Sequence, residues 1–196
     1  RLERAAGRAR DAIADHAGWL TGTLASGTDD WALGRERFDM LIGLRAFEDL
    51  DADAILAIGG AQLVEQIEAR RAAARDVDPT ADEATVIDRI KSDHAATFAE
   101  ALDSYRHSMD RARAHLIARD LASVPDDERI HVLATPKYLR TLVPFAAYFQ
   151  PARFEAKPMG LYIVTPSVGD GPGAMREHNR SSISNTSVHE AYPGHH

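Results

Sequence analysis

Hydrophobic residues recur at intervals of three and four over most of the first 120 positions of the chain. This spacing places apolar side chains along one side of a helix. It predicts helices over these stretches: Leu2 to about Leu24, Phe38 to Phe47, Ala52 to Ala74, Ala84 to Ile90, and Ala95 to Leu121. The polar run 26–30 separates the first two helices and offers an N-cap. A helical bundle is therefore the simplest interpretation of residues 1–124.

The pattern changes after residues 124–127. Residues 130–134 favour a short strand, and residues 136–143 suit one or two helical turns. The apolar run from Met159 to Thr165 predicts a further strand, which Pro166 ends. If this strand lies at a sheet edge, its free backbone groups could bind an extended peptide, and otherwise it is simply part of the sheet.

Glycine and proline in residues 167–177 predict a loop, and Asn179 to Tyr192 then returns to a helical pattern. The predicted fold is mainly α: a helical bundle with one to three short strands beside the last helix. We predict two domains, a helical one over residues 1–124 and a mixed α/β segment over residues 125–196.

The chain carries 23 basic and 30 acidic residues, a formal net charge of −7. This charge argues against a surface that follows the phosphates of nucleic acid or binds an anionic membrane. We therefore expect neither nucleic acid nor membrane among its partners. The hydrophobic fraction of 44% is enough for a packed core.

The absence of cysteine excludes disulfides and thiolate ligands, so a metal ion would have to be held by His, Asp or Glu. No apolar run approaches the roughly 20 residues of a membrane span. Because the chain begins at Arg1 and stops inside its most informative motif, we expect a piece of a longer protein. The cytoplasm is slightly favoured, a removed export signal stays open, and the oligomeric state is unknown.

Three histidines and a glutamate lie within the last nine residues of the chain: His189, Glu190, His195 and His196. Imidazole is the commonest protein ligand of zinc, and a glutamate beside a ligating histidine can act as the base for a water activated by the metal. The alternative is a surface histidine pair, but that alternative explains neither Glu190 nor the adjacent Pro193-Gly194.

The spacing differs from the common His-Glu-x-x-His motif, in which the histidines are four residues apart. On an unbroken helix, six residues advance about 600°, which directs His195 away from His189. Seven residues return His196 to the same face, but about 10.5 Å along the axis. Neither pair can bind one ion from a regular helix.

Pro193 and Gly194 offer a way around this geometry, because they allow the backbone to leave the helix. A local insertion of two residues would bring His195 to the position that a four-residue spacing provides. We therefore predict His189 and His195 as metal ligands, with His196 as the alternative to His195. Glu190 is the predicted catalytic base.

The segment His-Glu-Ala-Tyr-Pro-Gly-His-His over residues 189–196 resembles the signature of a bacterial family called domain of unknown function 885. The resemblance extends to residues 148–154, to residues 160–164, and more weakly to Trp19-Leu20, Leu33-Gly34 and Phe38. Members of this family resemble zinc metallopeptidases of the gluzincin type. The terminal motif is specific, whereas the helical part is only weakly so.

The resemblance implies a mostly helical, peptidase-like fold with a short edge strand over the cleft. It implies Zn²⁺ bound by His189 and His195, with Glu190 as the base. It also implies a third, acidic ligand on a helix that follows His196.

Three further side chains are candidates for contacting substrate or stabilising an oxyanion: Tyr162, Tyr192 and His178. Packing is at least as plausible for each tyrosine, and an exposed capping residue is the favoured interpretation of His178. The remaining histidines lack a partner at ligand spacing and are interpreted as ordinary ones.

The sequence thus predicts a zinc-dependent, peptidase-like hydrolase that acts on short peptides. The rival hypothesis is a non-catalytic helical binding module with a structural or vestigial metal site. Hydrolysis of a non-peptide amide would use the same residues and stays open.

Overall fold

The computed structural model describes residues 1–28, 30–45, 50–169 and 173–196. The predictions that involve Asp29, Phe47 and loop residues 170–172 lie outside the described residues. None of the described helices is both long enough and apolar enough to cross a membrane.

Six helices and a three-stranded sheet form the described part of the chain. The helices are α1 (Leu2–Leu24), α2 (Arg35–Leu44), α3 (Ala52–Val77), α4 (Glu83–Ser92), α5 (Phe98–Ala118) and α6 (Arg180–Glu190). The strands are β1 (Arg129–Ala134), β2 (Ala146–Phe149) and β3 (Met159–Val164), and short 3₁₀ turns cover 137–139 and 176–178. The prediction of a mainly α fold with a small β element is confirmed.

Capping decides where α5 begins. The Thr97 hydroxyl accepts a hydrogen bond from the Glu100 backbone N–H at 3.3 Å, and the Glu100 carboxylate accepts one from the Thr97 N–H at 3.0 Å. This reciprocal pair satisfies two N–H groups that the first helical turn leaves free. As a result α5 begins at Phe98, three residues later than the apolar pattern predicts.

Contacts between Cα atoms divide the chain into two compact units, residues 1–68 and 69–196. In the first unit, Ile42 is the one buried residue among those that the structure describes. Arg35 of α2 pairs there with Asp39 and with Asp53 at the start of α3, at 2.5 and 2.8 Å. The first unit therefore has ion pairs between its helices but almost no core of its own.

The sheet belongs to the second unit, with the strand order β1-β3-β2. Strand β3 pairs in parallel with β1 and antiparallel with β2. Both sides of β3 are therefore occupied, and the strand that the sequence allowed at an edge is central. The two free edges of the sheet belong to β1 and β2.

The core of the second unit lies where the sheet meets α5 and α6. Its buried residues come from all of these elements and from the turn after α6: Tyr105, Met109, Leu116, Val132, Tyr162, Val164, Ile183, Ala191 and Tyr192. The predicted domain boundary between residues 124 and 125 falls inside this unit, because α5 packs against both β1 and α6.

Candidate metal centre

Helix α6 brings the first two candidate residues into place. The Asn179 side chain caps the helix by accepting a hydrogen bond from the Ser182 N–H at 2.9 Å. Ile183, Ser187 and Glu190 are the buried residues of the helix, and their spacing of four and three puts them on one face. That face is directed at the core, so the glutamate is held inward at the end of the helix.

The chain leaves the helix after Glu190 and returns on itself. The His195 N–H donates a hydrogen bond to the carbonyl oxygen of His189 at 2.9 Å, which closes a wide turn over residues 191–195. A Cβ atom at Gly194 would lie 1.8 Å from that same oxygen. Only glycine fits at this position, which explains its place between the proline and the histidine.

The turn brings His189, Glu190 and His195 together. Their ligand atoms all lie within 4.8 Å of one another, and they are the one such group of His, Asp or Glu side chains in the described residues. The two imidazole rings are 4.8 Å apart between centroids, at 86° to each other. Leaving the helix thus brings together side chains that a regular helix would keep apart.

None of these three side chains forms a hydrogen bond or an ion pair with another described residue. Both imidazoles are exposed, so their nitrogens are accessible. Glu190 is only 8% exposed, but its carboxylate oxygens are not among the fully enclosed polar atoms that lack a partner. The carboxylate is therefore accessible to an ion held beside the two imidazoles.

The donor set fits Zn²⁺. Zinc binds nitrogen and carboxylate oxygen at roughly 2.0–2.1 Å, so two ligand atoms lie at most about 4.2 Å apart. The largest separation in this group, 4.8 Å, is slightly greater, and a rotation of an exposed imidazole is enough to close it. Glu190 could serve either as a third ligand or as a base beside the ion.

His196 faces the other way. Its Nε2 lies 2.7 Å from the carboxylate of Glu128, and its Nδ1 lies 2.6 Å from the hydroxyl of Tyr148. Both ring nitrogens therefore have partners. His196 could act as the alternative ligand only by giving up one of these hydrogen bonds.

Glu128 is the centre of this second group of polar residues. It is 5% exposed and accepts hydrogen bonds from the Arg113 Nε at 2.8 Å and from the Tyr192 hydroxyl at 2.6 Å. Burial acts to raise the pKa of Glu128, but the hydrogen bonds from Tyr192, Arg113 and His196 outweigh it and hold the pKa below its usual value. Burial and the carboxylate together raise the pKa of Tyr192.

The ring of Tyr148 lies across β3 to reach His196, and it has room there because residue 160 of β3 is a glycine. A Cβ atom at Gly160 would lie 2.6 Å from the ring and from the hydroxyl of Tyr148. Sequence reasoning did not find the roles of Glu128 and Tyr148. Glu128 follows two aspartates and has the pattern of a solvated acidic run, and Tyr148 entered only through the family resemblance.

The three candidates for substrate contact all lie in the core. Tyr162 and His178 are 0% exposed and Tyr192 is 5% exposed. The Tyr162 hydroxyl has no hydrogen-bond partner among the described residues. Burial raises the pKa of this phenol, and the nearby charge of Glu190 adds to the shift. Tyr162 is thus a buried phenol that the charge of Glu190 influences.

His178 packs deep between α5 and the sheet. Its Nδ1 lies 3.1 Å from the Tyr105 hydroxyl, and its ring stacks on Phe145 with centroids 5.2 Å apart. Burial lowers its pKa, which favours a neutral ring. The prediction of an exposed capping residue is therefore wrong: His178 is packed in the core, Asn179 caps α6, and the His178 Nε2 is buried without a hydrogen-bond partner among the described residues.

A groove of about 510 Å³ runs beside the candidate centre, lined by residues 146–150 together with Glu190 and His195. Strand β2 forms one wall. The Thr165 N–H donates to the Phe145 carbonyl at 2.7 Å, so the alternation of an antiparallel pair directs the backbone groups of Ala146 and Tyr148 away from β3. The free edge of the sheet therefore lies next to the candidate ligands.

A family model described as a bacterial protein of unknown function, DUF885, matches residues 1–196. The chain belongs to this family. Membership in DUF885 confirms the resemblance found in the terminal motif, while the family description assigns no activity.

A crystal structure of a protein named a "putative lipoprotein", from Colwellia psychrerythraea, is similar to this DUF885 chain with a TM-score of 0.64 and 18% sequence identity. The similarity covers 87% of this chain and 29% of that one, so the chain spans less than a third of that relative. It supports the fold alone. Among curated proteins, none matches the chain.

Proposed function

We propose that this chain provides part of the zinc centre of a peptidase-like hydrolase. His189 and His195 are the metal ligands, and Glu190 is the general base. The observation that carries the proposal is the convergence of two free imidazoles and one unpartnered, nearly buried carboxylate within 4.8 Å.

The donor chemistry supports this assignment over a structural role. His189 and His195 have no hydrogen-bond partner among the described residues, and they lie beside each other and beside a carboxylate, as no other histidine pair of the described residues does. Glu190 is mostly buried, and its carboxylate has no donor or cation beside it among the described residues. A bound cation would supply that partner, so the group would be more favourable in the loaded protein than in the empty one.

Bound zinc would supply Lewis acidity that activates water and polarises the substrate carbonyl. Glu190 would accept the proton of the attacking water and pass it to the leaving amine. Its inward position on α6 keeps the carboxylate beside the ligands, and the enclosed surroundings strengthen its interaction with a positively charged centre. A further acidic ligand, outside these residues, would complete the site.

Short peptides are the proposed substrates because of the groove beside the centre. The outward backbone groups of Ala146 and Tyr148 can hydrogen-bond an extended chain as an additional strand. Such pairing recognises the peptide backbone and is largely independent of its side chains. It would place a scissile bond alongside Glu190 and His195, which line the same groove.

The first experiment is zinc analysis and peptide hydrolysis with the full-length protein. The variants are Glu190→Gln and His189→Ala, and their matched controls are Glu155→Gln and His131→Ala, which change exposed residues outside the centre. We expect about one zinc per chain in the wild type and both controls. Glu190→Gln should keep its zinc and lose at least about 100-fold in hydrolysis of a quenched fluorescent peptide library.

The remaining outcomes separate the hypotheses. Loss of zinc in His189→Ala would support the ligand assignment. Zinc without hydrolysis in the wild type would favour the non-catalytic binding module, whereas equal turnover in Glu190→Gln would overturn the assignment of Glu190 as the base. A wild type without zinc would overturn the metal centre altogether.

A further inference from the structure

We infer that Glu128 and Tyr148 are positioning residues of the metal centre, which act through His196 and Tyr192 to hold the turn that sets His195 opposite His189. This inference rests on the proposed zinc site. The side chains of Glu128 and Tyr148 would not be ligands of the ion; through their hydrogen bonds to His196 and Tyr192 they would determine where His195 stands.

The position of His195 depends on the backbone of the turn. Its imidazole is exposed, and its one described side-chain contact is the ring of His189. The turn is closed by only two backbone hydrogen bonds after the helix, from His195 to His189 and from His196 to Ala191, at 2.9 and 3.3 Å. Contacts of other side chains in the turn must therefore help to define the course of the chain.

Side-chain hydrogen bonds on both sides of His195 supply that definition. Tyr192 before it and His196 after it both bond to the same carboxylate oxygen of Glu128, at 2.6 and 2.7 Å. One buried oxygen thus holds two points of the turn, three residues before His195 and one residue after it. Hydrogen bonds to a charged acceptor are shorter and stronger than neutral ones.

Glu128 is itself held in place by an ion pair with helix α5. Arg113 on α5 donates to its other carboxylate oxygen at 2.8 Å, and the residue directly precedes β1. Both oxygens of the carboxylate are therefore occupied, and its position is tied to two packed elements. Through Glu128, the turn is thus tied to α5 and to the start of β1.

Tyr148, on strand β2, contacts the second ring nitrogen of His196, Nδ1. Its hydroxyl lies 2.6 Å from Nδ1, and its ring crosses β3 at the gap left by Gly160. With Glu128 on Nε2, the imidazole is held at both ends in one orientation. In this arrangement, the role of His196 is to hold the turn, although it is not one of the proposed ligands.

The test measures the affinity of the full-length protein for zinc by competition with a chromophoric chelator. In outer-shell positions, substitutions typically weaken metal affinity by about 10–100-fold. We expect about tenfold weaker binding in Tyr148→Phe, which removes a single oxygen atom. Losses nearer the upper end of that range are expected in Glu128→Gln and His196→Ala. The controls Tyr138→Phe and Glu155→Gln change exposed residues and should bind as the wild type does.

A second readout reports geometry and not stability. Cobalt(II) substituted at the site absorbs visible light with an intensity and position that depend on ligand arrangement. Tyr148→Phe and Glu128→Gln should alter this spectrum although all the proposed ligands are retained. A purely structural role would leave the spectrum of the folded, loaded protein unchanged.

A double variant tests whether Tyr148 acts through His196. If it does, Tyr148→Phe should weaken zinc binding in the wild type but add nothing in the His196→Ala background. Additive losses would contradict that route. If Glu128→Gln fails to fold, as judged by circular dichroism, Tyr148→Phe and its cycle decide the question.

Two failures are distinguishable. No zinc in the wild type would remove the metal centre, and this inference with it. Zinc in the wild type, with affinities within twofold and unchanged cobalt spectra in Tyr148→Phe and Glu128→Gln, would overturn the positioning role alone.

Discussion

The polar side chains on the two sides of the turn after α6 differ in whether they have hydrogen-bond partners. On the inner side, Glu128, Tyr148, Tyr192 and His196 satisfy one another at 2.6–2.7 Å. On the outer side, the ligand atoms of His189, Glu190 and His195 lie within 4.8 Å of one another, and these side chains form no hydrogen bond to any described residue. A single short segment therefore carries both groups.

The inner group can stabilise the turn, whereas the outer group is the one that the turn makes accessible to an ion. Satisfied buried polar groups specify one conformation, whereas unsatisfied ones cost free energy and persist when the surrounding structure enforces them. The inner group can hold His195 in its place beside the outer group, because Tyr192 and His196 lie on either side of His195 in the same turn. The free energy of opening of segment 188–196 reports on both sides of the turn and can be measured by hydrogen exchange with mass spectrometry on the metal-free, full-length protein.

The largest effect is expected from Gly194→Ala, which disrupts both sides at once. The new methyl group would overlap the His189 carbonyl, so the turn must open, at a cost of about 3 kcal/mol. Zinc binding should be lost with it. Gly59→Ala, in open space on α3, should leave this segment unchanged, and normal protection in Gly194→Ala would contradict the described turn.

Glu128→Gln tests the inner side and should lower the opening free energy by about 2 kcal/mol at pH 7. The change removes the charge that Arg113, Tyr192 and His196 face, and a group left without its buried partner is costly.

The same variant gives a pH dependence. Because the folded state holds the pKa of Glu128 below its ordinary value of 4.5, its stabilisation is complete well above pH 4.5 and is lost as the pH falls through the folded pKa. The difference between wild type and variant should therefore shrink on acidification. A constant difference down to pH 3 would show that charge is not responsible.

Glu190→Gln tests the outer side and should act in the opposite direction. Replacing a nearly buried, unpartnered carboxylate by a neutral amide should raise the opening free energy by about 1 kcal/mol in the metal-free protein. Such a gain in stability with a loss of turnover is typical of functional residues. A less stable variant would mean that the carboxylate has a stabilising partner in solution.

His189→Ala should have the smallest effect, within about 0.5 kcal/mol, because the side chain is exposed and forms no hydrogen bond. The difference should appear only when zinc is added: binding to the folded state should protect the segment in the wild type and not in the variant. Protection by zinc in both proteins would place the ion elsewhere.

The helices and the central strand could be predicted from the sequence because their signals are local. The α1 and α3 helices begin at the predicted residues, and β3 ends within one residue of its prediction. Strand β2 could not be found in this way. It has four residues, two of them alanine, and its pairing with β3 is what makes it a strand.

The candidate ligands were also named from the sequence, through the chemistry of histidine and glutamate and the unusual Pro193-Gly194. Their role in binding zinc stays a prediction. The residues of the inner group were beyond that reasoning, because Glu128 lies 64 positions from Tyr192 and 68 from His196. No pattern along the chain relates groups so far apart.

The sequence by itself determined the helical character, the small β element and the identity of the candidate ligands, since each depends on neighbours within a few residues. Only the tertiary structure decided which histidine faces His189 and which faces the core. That choice depends on how the turn meets α5, β2 and β3, through hydrogen bonds and close contacts that exist only after the chain has folded.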